Sequence, residues 1–173
     1  PWLSLCFKDD PDLHLAVAQN FTNDHAGHKA VTSRKLRPLG KLKKRPRIGY
    51  LSADFHDHAT SRLMVGMLEA HTRELWEVVG ISYGPDDDSA MQKRVRNAFE
   101  IFVDLKNGST EENIKKLKSL NLAVLVDAKG FTGDFEMAYP SSRPAPVVVN
   151  FLAYPGSMGS TAYDYIIGDK IVT

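Results

Sequence analysis

The sequence has a single cysteine, Cys6, which cannot form a disulfide within the chain. No cysteine and histidine cluster has the spacing of a structural zinc site. No apolar run approaches the roughly 20 residues that span a bilayer, and the first residues lack the basic and apolar regions of a signal peptide. These absences favour a cytoplasmic protein in a reducing compartment, with no membrane partner.

The sequence also lacks a marked excess of charge of either sign, and it lacks glycine-rich phosphate-binding loops. The formal net charge is +1, which gives no reason to expect nucleic acid as a partner. Neither a GxGxxG nor a Walker loop is present, so the usual dinucleotide and triphosphate sites are not expected. What the 173 residues do contain is 43% hydrophobic side chains, enough for one good-sized core.

The chain divides into two parts by composition. Apolar residues at helical spacing predict an amphipathic helix over 9–28. Residues 34–47 contain eight basic residues, two prolines and one glycine, which favours a solvated connector; a phosphate-binding patch is the alternative. We therefore predict a helical segment with a basic linker over 1–46 and one domain over 47–173. The chain begins without Met and stops in an apolar segment, so we expect further polypeptide on both sides.

From Arg47 onward, β-branched runs alternate with helical patterns. This alternation is typical of βαβ units and predicts an α/β fold, a Rossmann-like parallel sheet flanked by helices. Strands are expected at 47–53, 76–83, 122–128, 146–153 and 164–169, and helices at 61–71, 89–99 and 110–119. Caps are expected at Thr60 or Ser61 and at Ser109 or Thr110. The helix at 61–71 is expected to turn one apolar face to the sheet, formed by Leu63, Met64, Met67 and Leu68.

Ligands of parallel sheets bind beyond the carboxyl ends of the strands, so the loops that follow the strands are the candidate sites. The His58 loop (52–61) contains Asp54, His56, Asp57 and His58. A histidine here suits general-base catalysis or hydrogen bonding to a diphosphate. Two alternatives stay open: solvated loop residues and helix caps, or a metal site on Asp54, His56 and His58.

Two further loops are candidates. The Gly130 loop (127–134) has Asp127 at a strand end, where it could cap a turn or meet a ligand, and glycines that permit close backbone approach. The Tyr154 loop (151–160) contains a rigid Tyr-Pro-Gly turn, whose amides could line a pocket for sugar or phosphate oxygens. Each loop alone is equally compatible with an ordinary turn.

Taken in order, five segments resemble the amino-terminal catalytic domain of the O-GlcNAc transferase family, especially bacterial members with tetratricopeptide repeats. They are RIGYLSADFHDHATSRLM, YGPDDDSAM, LAVLVDAKGFTGD, SRPAPVVVNFLAYPGSMGS and YDYIIGD. The resemblance implies one half of a GT-B glycosyltransferase that transfers GlcNAc from UDP-GlcNAc to protein Ser or Thr hydroxyls, with inversion and without a metal or other cofactor. It also implies a carboxy-terminal nucleotide-binding domain beyond residue 173, without which the fragment alone is expected to be inactive.

The resemblance also assigns roles to residues. Asp54 and His58 match the family's catalytic candidates, each with a role in handling the acceptor proton, and Thr60 matches the threonine beside the N-acetyl pocket. The remaining matches to substrate-binding positions are Gly130, Phe131, Leu152, Ala153, Tyr154, Pro155 and Gly156.

This sequence departs from the family pattern at several of these positions. Asp57 stands in place of an asparagine, Phe131 lacks a polar tip, and Glu136 reverses the charge of an arginine found in human-type enzymes. Ala153 replaces a glycine. Related plant-type enzymes use GDP-fucose, so the sugar stays open. The alternatives are a non-catalytic flavodoxin-like binding domain or pseudoenzyme and a metal-dependent hydrolase.

Overall fold

Six parallel strands form one sheet at the centre of the molecule, in the order β3-β2-β1-β4-β5-β6. The structure is a computed structural model that describes residues 1–25 and 44–170. This order is that of the doubly wound Rossmann fold, so the predicted fold class is confirmed. The strands are β1 (Arg47–Ser52), β2 (Glu77–Ser82), β3 (Ile101–Asp104), β4 (Leu122–Asp127), β5 (Val147–Phe151) and β6 (Tyr165–Ile167).

Helices precede the sheet and connect its strands. Two lie before it, α1 (Ser4–Phe7) and α2 (Pro11–His25). The helix α5 begins where the sequence predicts, because Ser109 and Glu112 form a reciprocal capping box. The connecting helices are α3 (Ala59–Glu69), α4 (Ala90–Asn97), α5 (Thr110–Ser119) and α6 (Ala138–Ser141). No helix among the described residues is both long and apolar enough to traverse a bilayer.

The alternation of side chains along the strands builds an apolar cluster on each face of the sheet. In β1, Tyr50 joins one cluster and Leu51 the other. The first cluster packs beneath α3 and α4 through Met64, Leu68 and Val95. The second packs beneath α5 through Leu117. Burial on both faces explains why the central residues of β1, β2 and β4 are apolar at successive positions rather than at alternate ones.

A third apolar cluster attaches α2 to the loops at the carboxyl edge of the sheet. It contains Ala18 and packs against Phe21. The hydroxyl of Thr22 donates to the carbonyl of Met158 at 2.8 Å. Its other buried members are Phe131, Met137, Tyr154 and Met158. The described part of the helix predicted over 9–28 is therefore present as α2 and forms part of the wall around those loops. Residues 26–28 of that helix and 34–43 of the predicted basic linker lie outside the described residues.

The structure corrects two details of α3 and adds a strand. Leu63 and Met67, both predicted to face the sheet, are 70% and 37% exposed, because the buried stripe runs through Ser61, Met64 and Leu68. The cap is His58 rather than Thr60 or Ser61. The strand β3 is absent from the prediction, since it has only four residues, follows the charged Glu100 and ends on the charged Asp104.

Candidate active site

The candidate site lies at the carboxyl ends of β1 and β4, the two central strands. From β1 the chain continues to β2 and β3 on one side of the sheet and then crosses to β4 on the other side. The gap between β1 and β4 is therefore the topological switch point, where open α/β sheets bind ligands. A cavity of about 830 Å³, the main cavity, opens here. Its lining includes Trp2, Asp54, His56, His58, Thr60, Tyr83, Lys106, Lys129, Thr132, Gly133, Asp134 and Ala153.

A buried ion pair joins β1 to β4 at the floor of the main cavity. The Nζ atom of Lys129 lies 2.6 Å from Oδ1 of Asp54, and the two side chains are 7% and 5% exposed. The hydroxyl of Thr60 donates to the other oxygen, Oδ2, at 3.2 Å. Hydroxyls also hold the Asp54 backbone, since Ser52 accepts from its amide and Ser61 donates to its carbonyl. Both carboxylate oxygens of Asp54 are thus engaged and its position is fixed.

His58 is both the cap of α3 and a lining residue of the main cavity. Its Nδ1 accepts a hydrogen bond from the backbone amide of Thr60 at 3.2 Å. The distance from Nδ1 to Oδ2 of Asp54 is 3.6 Å, which is too long for a hydrogen bond. The only hydrogen bond of Nδ1 among the described residues is therefore the capping bond with the Thr60 amide. With Nδ1 acting as an acceptor, the neutral imidazole carries its proton on Nε2. The side chain is 42% exposed, so His58 can donate to a ligand.

The other acidic and imidazole groups of the His58 loop have partners at the rim. His56 faces Asp87, with 3.8 Å between Nδ1 and Oδ2. The backbone amide of Asp57 donates to Asp87 and, with that of Ser89, holds the pKa of this carboxyl at about 2. No group of three histidine, cysteine or carboxylate side chains converges among residues 1–25 and 44–170 as metal ligands would. The geometry therefore does not support the hydrolase alternative.

The Gly130 loop is tied down by Asp127, which caps a turn. Its Oδ1 accepts from the amides of Lys129 and Gly130, and its Oδ2 accepts from the Tyr163 hydroxyl at 2.5 Å. Burial raises the pKa of Asp127 and that of Tyr163. The backbone of Gly130 has φ +54°, which favours glycine. Phe131 is buried in the third apolar cluster, between Phe21 and Tyr154.

The Tyr154 loop contains a strained turn. The amide of Ala153 donates to the carbonyl of Phe151 at 3.0 Å, around Leu152 at φ +74°. This geometry is that of the rare, strained form of the γ-turn, and such strain is often found at binding sites. Ala153 reaches the main cavity, whereas Tyr154 is buried and Leu152 and Pro155 are exposed.

A second cavity of about 550 Å³ lies on the other side of the Tyr154 loop. It takes Leu15 and Gln19 from α2 and Gly156 from the loop, with residues 157–161 and 163–166. Asn150 lines it and donates to the carbonyl of Tyr154, while its Oδ1 has no hydrogen-bond partner among the described residues. The predicted site residues are therefore divided: Asp54, His58, Thr60 and Ala153 line the main cavity and Gly156 lines the second.

Sequence reasoning did not single out Lys129 or Trp2. The sequence around Lys129 offers one clue, namely a lysine two residues after an apolar strand. Its ion-pair partner, Asp54, lies 75 positions away and cannot be found from the local sequence. Trp2 precedes the four-residue helix α1, in a stretch too short to show a periodic pattern, and only the packing of α1 and α2 brings it to the cavity.

Comparison with known proteins supplies independent information. Residues 26–173 match the sequence profile of glycosyl transferase family 41. The chain is 26% identical over its whole length to the probable UDP-N-acetylglucosamine–peptide N-acetylglucosaminyltransferase SEC of Arabidopsis thaliana, of which the match covers 18%. It is 29% identical over 98% of its length to the UDP-N-acetylglucosamine–peptide N-acetylglucosaminyltransferase of Caenorhabditis elegans, of which the match covers 17%.

A solved structure agrees with these sequences. A mutant of the O-GlcNAc transferase of Thermobaculum terrenum matches with a TM-score of 0.79 and 27% identity, over 93% of this chain and 31% of that one. This chain therefore spans less than a fifth of the two curated relatives and about a third of the solved structure.

Proposed function

This chain belongs to glycosyl transferase family 41, and we propose that it forms part of an enzyme that transfers N-acetylglucosamine from UDP-GlcNAc to a serine or threonine hydroxyl of a protein. The observation that carries the proposal is the main cavity at the switch point, where Asp54, Thr60 and His58 form one connected group. The resemblance of the sequence to the O-GlcNAc transferase family agrees with the family match.

In the proposed reaction the acceptor hydroxyl oxygen attacks the anomeric carbon, the bond from that carbon to the diphosphate oxygen breaks, and the hydroxyl proton passes to a base. Attack from the face opposite the leaving group inverts the anomeric configuration. Such a transfer requires the hydroxyl to be held in line and the developing negative charge on the diphosphate to be met by donors.

His58 and Asp54 take different parts in this scheme. Because Nδ1 of His58 is occupied by the Thr60 amide, we assign its Nε2–H as a donor to an oxygen of the bound donor substrate. Asp54 is a positioning residue, since its oxygens hold the Lys129 ammonium and the Thr60 hydroxyl. The base is therefore a group of the substrate or a residue outside this pair.

The pairing of the charged side chains in the main cavity supports the proposal that this chain provides only part of the diphosphate-binding site. The Lys129 ammonium is paired with Asp54, and that of Lys106 contacts Asp86 and Asp104. Neither is free to neutralise a diphosphate. We therefore propose that this chain supplies the sugar and acceptor side, and that a carboxy-terminal domain of the longer protein supplies the groups that bind the nucleotide and diphosphate. The reaction needs no metal in this scheme.

The test is transfer to candidate acceptor proteins, followed by intact mass, with the protein at its full natural length. UDP-GlcNAc should add one N-acetylhexosamine, equally well with a chelator present. GDP-fucose serves as the competing donor. Transfer that disappears with the chelator would contradict metal independence, and absence of transfer with both donors would favour a binding domain or pseudoenzyme.

Two substitutions separate the chemistry of His58 from its capping role. Asparagine is a good cap, so His58→Asn should keep the stability of α3, whereas His58→Ala should lose about 1 kcal/mol. Both should lower kcat by about 100-fold or more, because neither retains the imidazole donor. His25→Asn, outside the main cavity, is the control and should transfer normally. Normal transfer by His58→Asn would contradict the assigned role.

A further inference from the structure

A large aromatic side chain lines the main cavity without being buried in the core. Trp2 is 47% exposed and lies on the cavity wall. The other tryptophan of the chain, Trp76, lies at the opposite end of the sheet, just before β2, and packs against the first apolar cluster. Leaving an indole half exposed forfeits much of the free energy that its burial would give, so its position at a cavity suggests contact with a ligand.

The position of the Trp2 ring is set by its surroundings. Its centroid lies 5.7 Å from that of Tyr154, with 43° between the planes. Tyr154 is fully buried, and its carbonyl is held by Asn150. The chain after Trp2 is also fixed, because Nε2 of His14 contacts the carbonyls of Ser4 and Lys8 at 3.0 and 2.6 Å. The ring is thus a pre-positioned surface.

Most of the other residues that line the main cavity have polar side chains. His58 offers an N–H, and Ala153 adds a small apolar surface. Thr60 and Thr132 offer hydroxyl oxygens as acceptors, since their protons are donated to Asp54 and to the carbonyl of Lys129. Tyr83, the other aromatic side chain in the lining, is largely covered and forms an edge contact with Tyr139. The main cavity therefore combines one exposed aromatic face with several hydrogen-bonding groups, the usual make-up of a specific small-molecule pocket.

A hexopyranose matches this combination. Its hydroxyls form a polar edge, while its ring C–H groups form an apolar face with a small positive charge. The face of an aromatic ring carries the negative part of its quadrupole, which attracts such C–H groups. We propose that Trp2 stacks against the apolar face of the donor's sugar ring and so helps to select the donor. This inference rests on the proposed function, since it takes the ligand to be a sugar nucleotide.

The first test observes Trp2 directly. The protein at its full natural length is labelled with 5-fluorotryptophan, and the fluorine signal of Trp2 is assigned by its loss in Trp2→Phe. UDP-GlcNAc should shift this signal, and UDP at saturation should leave it unchanged. A shift with UDP alone would overturn the inference by showing that the base, not the sugar, stacks on Trp2.

The second test measures kinetics with a matched control. Trp2→Ala should raise KM for UDP-GlcNAc about three- to tenfold with little change in kcat. Trp2→Phe should restore most of the loss, and Leu3→Ala, an exposed neighbour, should have no effect. If UDP-GlcNAc is a substrate and Trp2→Ala leaves KM unchanged, the inference is wrong and the proposed function stands. If calorimetry detects no binding of UDP-GlcNAc, both are wrong.

Discussion

The Asp54–Lys129 ion pair organises the floor of the candidate site. Burying two charges is expensive, and their attraction repays that expense only when the geometry is good and the remaining hydrogen bonds are made. Here Thr60 satisfies the second carboxylate oxygen, and the Lys129–Asp54 distance of 2.6 Å is that of a strong charge-assisted hydrogen bond. The pair links the His58 loop to the Gly130 loop, so it fixes their relative position.

This ion pair gives a prediction for stability. Asp54→Asn and Lys129→Met should each destabilise the protein by about 3–5 kcal/mol, because each leaves one buried charge without a partner. The double variant should lose much less than the sum, which a double-mutant cycle by urea unfolding measures.

The exposed pair of Glu69 and Arg94, also in direct contact, is the matched control and should show a much smaller coupling. If the losses of unfolding free energy at Asp54 and Lys129 were additive, the two side chains would not form the buried ion pair described here.

Single residues differ in how far they can be predicted from the sequence. The position of Asp54 and His58 at the main cavity could be predicted, because the His58 loop concentrates carboxylates and imidazoles after a strand. The capping role of His58 was not, since histidine is an uncommon cap and Thr60 and Ser61 stand beside it. Lys129 escaped notice because its partner is fixed only by the pairing of β1 with β4.

Among the secondary-structure elements, the loops after β4 and β5 are held in unusual backbone conformations where they meet. A Cβ atom on Gly130 would lie 2.6 Å from the Cβ of Tyr154, and the φ of +54° is unfavourable for other residues. Next to it, Leu152 adopts φ +74° without the freedom of glycine. Both loops therefore depend on close packing around Tyr154 for their shape.

The two glycines of the Gly130 loop provide a comparison. Gly130→Ala should destabilise the protein by about 2–4 kcal/mol, through backbone strain and the contact with Tyr154. Gly133→Ala has open space around its Cβ and should change stability by less than about 1 kcal/mol. Thermal unfolding of both variants measures the difference. Equal effects would mean that the Gly130 loop is not packed as described.

The elements themselves were predictable in proportion to the strength of their local signals. The helix α5 has a capping box and was predicted to the residue. The strand β3 has four residues, follows Glu100 and ends on Asp104, so only its pairing with β2 defines it. The exposure of Leu63 shows that apolar spacing alone does not settle which face of α3 is buried when a polar residue, Ser61, lies in the stripe.

For the molecule as a whole, five covered tyrosines link stability to alkaline pH. Burial raises the pKa of Tyr50 to about 12, and it also raises the pKa values of Tyr83, Tyr139, Tyr154 and Tyr163. The folded chain therefore holds these protons longer than the unfolded chain, whose tyrosines titrate near pH 10. Stability from these groups is complete below about pH 10 and is lost as the pH rises through the raised pKa values.

Urea unfolding at about pH 8 and about pH 11 should accordingly give a lower midpoint at the higher pH. Tyr50→Phe should reduce this difference, because one of the raised pKa values is removed. The absorbance of tyrosinate from the covered tyrosines should appear together with unfolding. Their titration in the folded protein before unfolding would contradict the burial of these groups.

The whole-chain arrangement was predictable only in part. The alternation of strands and helices was enough to predict the parallel sheet, and the ordered motifs were enough to predict the family. The docking of α1 and α2 onto the Tyr154 loop was not, because it depends on contacts such as Thr22 with Met158, 136 positions apart. These contacts bring Trp2 to the main cavity and so complete one of its walls.

The most direct test of the proposed function is the structure of the protein at its full natural length with UDP-GlcNAc bound. We expect the sugar in the main cavity, with His58 donating to an oxygen of the donor and the diphosphate held by residues outside this chain. A sugar located in the second cavity beside Asn150, or remote from His58, would contradict the account.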